Sequence, residues 1–140
     1  MPKDARWTNA VRSLAALAID QEFDNGYLRI YTAGSGRPAT PATAITDQVL
    51  LAELRFAATA VASESNGVLT FAALTGEDAA LATGTAAFAR ALRSDGTTAI
   101  VDLSVGTSDA NVLLPTLTIN TGVAVNLSAM SVTVAAASAQ

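Results

Sequence analysis

The chain of 140 residues contains no cysteine and no histidine. Without cysteine there can be no disulfide, thiolate metal site or cysteine nucleophile, and without histidine the usual general base and the commonest metal ligand are missing. The many serines and threonines lack an obvious activating base, because the single lysine is Lys3 near the N-terminus. We therefore expect a non-enzymatic protein with no cofactor, metal or small-molecule substrate.

Charged and aromatic side chains are also scarce. Charged residues make up 14% of the chain and aromatic residues 5%, whereas 51% is apolar, much of it alanine. Average domains carry roughly 25% charged residues, so a surface this poor in charge is coated with Ser and Thr or covered by partners. The net charge is −4 and the basic residues are scattered, which argues against nucleic-acid binding because phosphates need a basic surface.

Long hydrophobic runs are missing as well. No apolar stretch approaches the roughly 18 residues that a membrane span needs, so no membrane partner is expected. The N-terminus places positive charge before a modest apolar stretch, as a signal peptide does. Asp20 and Glu22 interrupt that pattern, and we interpret the segment as part of the mature protein.

The first segment predicts one amphipathic helix. Apolar residues recur along one helical stripe at steps of four, three and four: Trp7, Val11, Leu14 and Ala18. Asp4 is the predicted N-cap, and Asp-Asn-Gly at 24–26 predicts the end of the helix. A helix of about four turns is rarely stable alone, so it must pack on the sheet or on another subunit. For Trp7 we favour an anchor to the sheet over a contact with a partner.

After Gly26 the pattern is that of short strands. The strand-like segments, separated by Gly, Asn, Asp and Pro, are "YLRIYTA", "VLLAELRFA", "NGVLTFAAL", "AAFARALRS", "TAIVDLSVG", "PTLTIN" and "VAVNLSAMSVTVAA". We predict a mainly β fold, an antiparallel β-sandwich of about seven strands with one N-terminal α-helix. The arm and helix cover residues 1–25 and the sandwich covers 26–140, together as one structural domain.

Side-chain alternation predicts which residues face the core. In "VLLAELRFA" it places Leu54 and Phe56 on one face and Leu51 on the other, and in "TAIVDLSVG" it turns Val101, Leu103 and Val105 inward. Asp-Gly at 95–96 predicts a hairpin between the two strands that flank it. The apolar phase changes between 127 and 130, which requires a bulge or a bend in the last segment.

Three aspartates stand at even steps of seven: Asp95, Asp102 and Asp109. A calcium site needs six to eight converging oxygens, but this spacing spreads the carboxylates along a hairpin. We interpret Asp95 and Asp109 as turn residues and Asp102 as a residue on the polar face of its strand. The pair Glu77-Asp78 is interpreted as solvated loop acids.

Two further motifs need an interpretation. "GSGRP" at 34–38 superficially resembles a phosphate loop, but it lacks the Lys-Ser/Thr pair and the following helix, so we interpret it as a turn before proline. Tyr27 and Tyr31 fit an interface and a packing role equally well.

The order of the segments "GYLRIYTAGSGRPAT", "LLAELRFA", "NGVLTF", "ALRSDGTTAIVDLSVGT" and "INTGVAVNLSAMSVTV" resembles a family of small tailed-bacteriophage proteins. The resemblance covers nearly the whole chain, from about Val11 to Val134, and brings no catalytic residues with it. The strand "AAFARAL" departs from the pattern, since relatives have bulkier aromatic and branched residues there.

The resemblance implies a virion structural protein. We expect a capsid decoration or cement protein that binds the outside of the shell, with the major capsid protein and copies of itself as partners; for the homo-oligomer a trimer is one form. A tail, neck or fibre-associated component is the alternative in the same class. A carbohydrate-binding module on the virion surface is the alternative in another class.

Overall fold

The structure, a computed structural model, describes residues 7–134. Within this range the chain forms one α-helix, α1 (Asn9–Asp20), a short 3-10 turn (Gln21–Phe23) and ten strands. The strands are β1 (Tyr27–Tyr31), β2 (Leu50–Arg55), β3 (Val61–Ser65), β4 (Val68–Phe71), β5 (Gly84–Thr85), β6 (Phe88–Leu92), β7 (Ala99–Gly106), β8 (Val112–Leu113), β9 (Thr118–Ile119) and β10 (Ala129–Thr133). The predicted class, mainly β with an N-terminal helix, is confirmed.

Eight strands form one curled sheet in the order β2-β1-β6-β7-β8-β10-β4-β3, and β5 pairs with β9 in a separate ribbon. The paired strands run antiparallel except β7 and β8, which are parallel. Because the sheet curls, its two halves cover a single apolar core: Leu28 and Leu54 from one half share it with Leu69 and Met130 from the other. The number of strands exceeds the expected seven because several of the strands contain only two residues.

Helix α1 begins at a side-chain cap that the sequence pattern did not single out. The backbone of Thr8 is extended, and its hydroxyl accepts a hydrogen bond from the backbone N–H of Val11 at 3.2 Å. The predicted cap, Asp4, lies outside the described residues. The predicted end is confirmed, since the chain leaves the helix through the 3-10 turn and Asn25 adopts a left-handed φ of 57°.

The helix packs on the β3–β4 hairpin through its small and polar side. Ala16 is fully buried, and the hydroxyl of Ser13 donates a hydrogen bond to Glu64 Oε2 at 2.9 Å. The apolar stripe therefore points outward, and Trp7 is 54% exposed. The prediction that Trp7 anchors the helix to the sheet is wrong, because close approach to the hairpin requires a small side chain where Ala16 stands.

The predicted Asp-Gly hairpin is present, but residues 94–97 form its loop, because the N–H of Arg93 donates to the carbonyl of Thr98 at 2.9 Å. Asn66 and Gly67 have φ values of 51° and 86° and join β3 to β4, while Gly96 has a φ of 73° between β6 and β7. Positive φ at both Asn66 and Gly67 matches the two-residue turn that best continues the twist of a hairpin, whereas at 95–96 only Gly96 has a positive φ. The strand assignment of "AAFARAL" is confirmed by β6, whose five residues are all buried.

Bulges change the side-chain directions that alternation predicts. Tyr31 pairs with Leu50 and Ile30 pairs with Ala52, so Leu51 is the extra residue of a bulge. Leu51 is fully buried, and its prediction as an outward residue is wrong because the bulge rotates it toward the core. In β7, Leu103 is buried and both Val101 and Val105 pack against the core, as predicted.

The predicted phase change in the last segment is confirmed. Val125 is buried and bridges to Glu77, whereas Met130 is buried in β10, which pairs with β4 and β8. Between them the N–H of Ser128 donates to the carbonyl of Leu113 at 2.7 Å. This interruption lets the first part of the segment pair with Glu77 and the second part, β10, pair with β4 and β8.

Candidate functional site

Asp95 is a turn residue, as predicted. Its Oδ1 accepts the backbone N–H groups of Thr97 and Thr98, each at 2.8 Å. The hydrogen bonds from the Thr98 side chain and from these two backbone groups lower the pKa of Asp95 to about 2 from its ordinary 3.8. The carboxylate therefore stabilises the β6–β7 turn and is already occupied by its own loop.

The lowered pKa of Asp95 predicts acid sensitivity of the hairpin. A carboxyl with a lower pKa in the folded state stabilises the fold fully above its unfolded pKa of 3.8 and loses that contribution as the pH falls toward about 2. The melting temperature of the wild type should therefore drop more steeply between pH 4 and pH 2 than that of Asp95→Asn. Thermal melts over this pH range test it, and parallel curves for the two proteins would contradict it.

The other loop acids lie apart from Asp95. Asp109 is exposed in the turn after β7 and has a left-handed φ of 51°, which confirms its assignment to a turn. Asp78 is exposed as predicted, whereas Glu77 is half-buried and accepts the N–H of Glu53 at 3.3 Å. Among residues 7–134 no three acidic side chains come together as a metal site.

Asp102 lies on the polar face of β7, as predicted, but it is buried there. It is 8% exposed, and its carboxylate faces Arg90 of the neighbouring strand β6. Arg90 donates from Nε to Oδ1 at 2.7 Å and from Nη2 to Oδ2 at 3.1 Å, which makes a two-point ion pair. The interpretation of Asp102 as a residue on the polar face of its strand is confirmed, since it pairs with Arg90 on the face opposite Leu103, and the long loop 32–49 covers this face and buries the pair.

The Arg90–Asp102 pair holds the long loop in place. Arg90 also donates from Nη1 to the carbonyl of Thr43 at 2.8 Å and from Nη2 to the carbonyl of Thr40 at 3.2 Å. Arg37, the arginine of "GSGRP", donates to the backbone carbonyl of Asp102 at 2.9 Å. Each charged group is thus engaged with the protein's own chain, and the cluster is a structural clamp.

The "GSGRP" stretch is a turn, as predicted. Gly34 and Gly36 both have positive φ, and the carbonyl of Gly36 accepts Gln48 Nε2 at 2.5 Å. Ser35 donates its hydroxyl to Asp47 Oδ1 at 2.9 Å, and the hydrogen bonds from Ser35 lower the pKa of Asp47. These contacts join the two ends of the loop to each other.

The tyrosines divide between two roles. Tyr31 is buried and stacks on Phe88 with ring centroids 5.2 Å apart, so it packs the sheet. Tyr27 is half-buried, and the Arg55 guanidinium lies 4.5 Å from its ring centroid. The question that the sequence left open is settled for Tyr31 in favour of packing.

Large apolar side chains of the described residues remain on the surface in two groups, and Val49 at the end of the long loop is exposed as well. The first group lies on the outer side of α1 and just before its N-cap, and we call it the outer helix face: Trp7, Val11, Leu14 and Leu17. Leu14 is the most exposed of them, at 67%. Leu81 and Val123, the Leu81 patch, lie on adjoining segments, because the N–H of Ala80 donates to the carbonyl of Val123 at 2.9 Å. Contiguous exposed apolar surface marks sites of contact with other molecules.

A neutral cavity of about 300 Å³ opens beside Val123. Its polar lining comes from threonine and asparagine side chains: Thr116, Thr118, Asn120 and Asn126. Within residues 7–134, no helix has both the length and the apolar character that crossing a membrane requires.

A scan against protein-family models matched no family, and no curated protein and no solved structure matched the chain. A proposal of function therefore depends on the order of sequence segments noted above and on the geometry just described.

Proposed function

We propose that the protein is a non-enzymatic structural component of a tailed-phage particle, a decoration or cement protein that binds the outside of the capsid shell. The observation that carries this proposal is the presence of two exposed apolar surfaces, the outer helix face and the Leu81 patch, on one small body poor in charge. Two such surfaces suit a subunit that contacts both its own copies and a larger lattice.

Two of the three evenly spaced aspartates are used for structure. Asp95 is bound by its turn, and both oxygens of Asp102 are bound by Arg90. A repeated structural subunit needs only modest affinity at each contact, because many linked contacts raise the total affinity strongly. Small apolar surfaces of the kind seen here fit that requirement.

The proposal is tested on purified particles of the phage that encodes the protein. Mass spectrometry should find the chain at a copy number comparable to that of the major capsid protein, and immunogold labelling should lie on the shell. A few copies at the neck or tail would favour the alternative virion position over the shell. Complete absence from the particle would overturn both.

The binding surface has its own test. Leu81→Glu places a charge in the Leu81 patch and should reduce the amount of protein that sediments with shells stripped of it, while Asp78→Asn, an exposed change nearby in the chain, should not. Equal sedimentation of all three proteins would exclude the Leu81 patch as the contact.

Carbohydrate binding is the second candidate, and the neutral cavity beside Val123 is the observation that favours it. Threonine and asparagine side chains can exchange hydrogen bonds with sugar hydroxyls. The exposed Trp7 lies on α1's outer side and does not line that cavity. A glycan array should decide: binding that Asn120→Ala abolishes would support this candidate, and an array without hits would eliminate it.

A further inference from the structure

We infer that the outer helix face pairs two copies of this chain, with their α1 helices antiparallel about a two-fold axis beside Leu14. Because the proposed function already brings copies together on a shell, this pairing deepens it by naming the surface they share. The pairing is a property of the purified protein, however, and is tested without the particle.

The spacing of the exposed residues indicates a helical partner. Apolar positions at steps of three and four form the seam along which two helices pack side by side. In this molecule the seam is exposed: Val11 and Leu14 lie on it, Ala18 continues it and Leu17 flanks it. Trp7 extends the surface just before the N-cap and shares a shallow groove with Val11. A second α1 carries the same seam and is its closest match in shape.

The charge distribution fits a second copy. The exposed residues between positions 7 and 18 carry no ionised side chain: Trp7, Thr8, Asn9, Ala10, Val11, Leu14, Leu17 and Ala18. The charged residues of α1 itself, Arg12 and Asp20, are half-buried, and Arg12 lines one edge of the groove that Trp7 shares with Val11. Two identical outer helix faces can therefore meet around Leu14 and Leu17 without like-charge repulsion, whereas a charged partner would find Arg12 at one edge as its counter-charge and nothing charged at the centre.

The antiparallel direction follows from the ends of the helix. With the axis beside Leu14, each Leu14 contacts its own counterpart and Val11 of one copy lies opposite Leu17 of the other. This arrangement also sets the positive N-terminal end of each helix near Asp20 of its partner. A parallel pair would instead bring the two Asp20 carboxylates to the same end, where they repel each other.

The area available predicts a weak and reversible dimer. The four large side chains of the outer helix face leave on the order of 400 Å² exposed per copy, so pairing buries at most roughly 800 Å² before the alanines are counted, which is below the roughly 1,000 Å² of a stable interface and fits a transient one. The helix is already ordered by the Thr8 cap, the Ser13–Glu64 hydrogen bond and the burial of Ala16, so pairing costs little further ordering.

Sedimentation equilibrium of the full chain over a range of concentrations tests the inference. The wild type should move from monomer to dimer with a dissociation constant on the order of 10–100 µM. Leu14→Glu should raise that constant by about tenfold or more, and Leu81→Glu, a matched change at another exposed leucine, should leave it unchanged. A wild type that stays monomeric, a trimer, or equal association of Leu14→Glu and wild type would each overturn the two-fold pairing.

Cysteine cross-linking tests the same face without a destabilising charge, because the chain has no cysteine of its own. Leu14→Cys should be joined to a dimer by a bismaleimide of about 8 Å, the distance between packed helices, while Leu81→Cys should not. A mixture of Val11→Cys and Leu17→Cys chains should cross-link more than Val11→Cys alone if the helices are antiparallel. The reverse ratio, or equal cross-linking at Leu14 and Leu81, would contradict the geometry.

Discussion

Asp102→Asn is expected to lower the free energy of unfolding by about 3–5 kcal/mol, because removing one partner of a buried ion pair leaves the other charge uncompensated. Arg90 would then be buried against a neutral amide instead of a carboxylate that accepts two of its N–H groups. Urea denaturation followed by fluorescence or circular dichroism measures the change. Asp78→Asn makes the same chemical substitution at an exposed carboxylate and should change the unfolding free energy by less than about 0.5 kcal/mol.

The same variant should loosen the long loop 32–49. Arg90 holds the carbonyls of Thr40 and Thr43, so a displaced guanidinium releases the middle of the loop before the sheet unfolds. Faster hydrogen exchange and earlier proteolysis should therefore be confined to the loop in Asp102→Asn under native conditions. Wild-type stability together with wild-type protection of the loop would contradict the role of the clamp.

Replacing both partners separates the two roles of the clamp. Two apolar residues of similar volume remove the buried charges together, and such replacements are often neutral or stabilising. Arg90→Met combined with Asp102→Leu should therefore unfold at a higher urea concentration than Asp102→Asn alone. The loop should still exchange rapidly, because methionine cannot donate to the carbonyls of Thr40 and Thr43.

The position of this pair illustrates what the sequence could not supply. The Asp-Gly hairpin is a local signal and was predicted, and an uninterrupted two-residue turn would pair Arg90 with Val101. A bulge between Leu92 and Ala91 shifts the register by one residue, so that Arg90 stands opposite Asp102. The bulge depends on how the strands pack, and alternation along one strand does not reveal it.

The same limit applies to the helix. Its stripe and its end were readable, because helical spacing and Asn-Gly are local features. The side of the helix that meets the hairpin could not be predicted, because an apolar stripe has the same spacing whether it packs on its own sheet or on a neighbouring subunit. The side that packs on the hairpin is the one with the small side chain of Ala16. A single small residue is a weak signal in a chain so rich in alanine. The resemblance to phage proteins stays a prediction.

Phe23→Ala is expected to cost about 3–5 kcal/mol of unfolding free energy, as for other fully buried aromatic residues. Phe23 is 1% exposed and packs edge-on against Phe56 and Phe71, with ring centroids 5.4 and 4.9 Å away. Phe23→Leu keeps most of the side-chain volume and should lose less. Denaturant melts of the two variants measure the difference, and equal losses would contradict the prediction, because the side-chain volume that leucine keeps would then contribute nothing to stability.

Phe23 also connects the stability of the core with the presentation of the helix. It lies in the 3-10 turn that joins α1 to β1, so its loss should free α1 from the β3–β4 hairpin before the sheet unfolds. Phe23→Ala should therefore raise hydrogen exchange in 9–20 and weaken association through the outer helix face. Asp102→Asn costs as much stability but leaves α1 anchored, and its dimer should form as in the wild type. If both variants weakened association equally, pairing would depend on overall stability and not on the fixed position of α1.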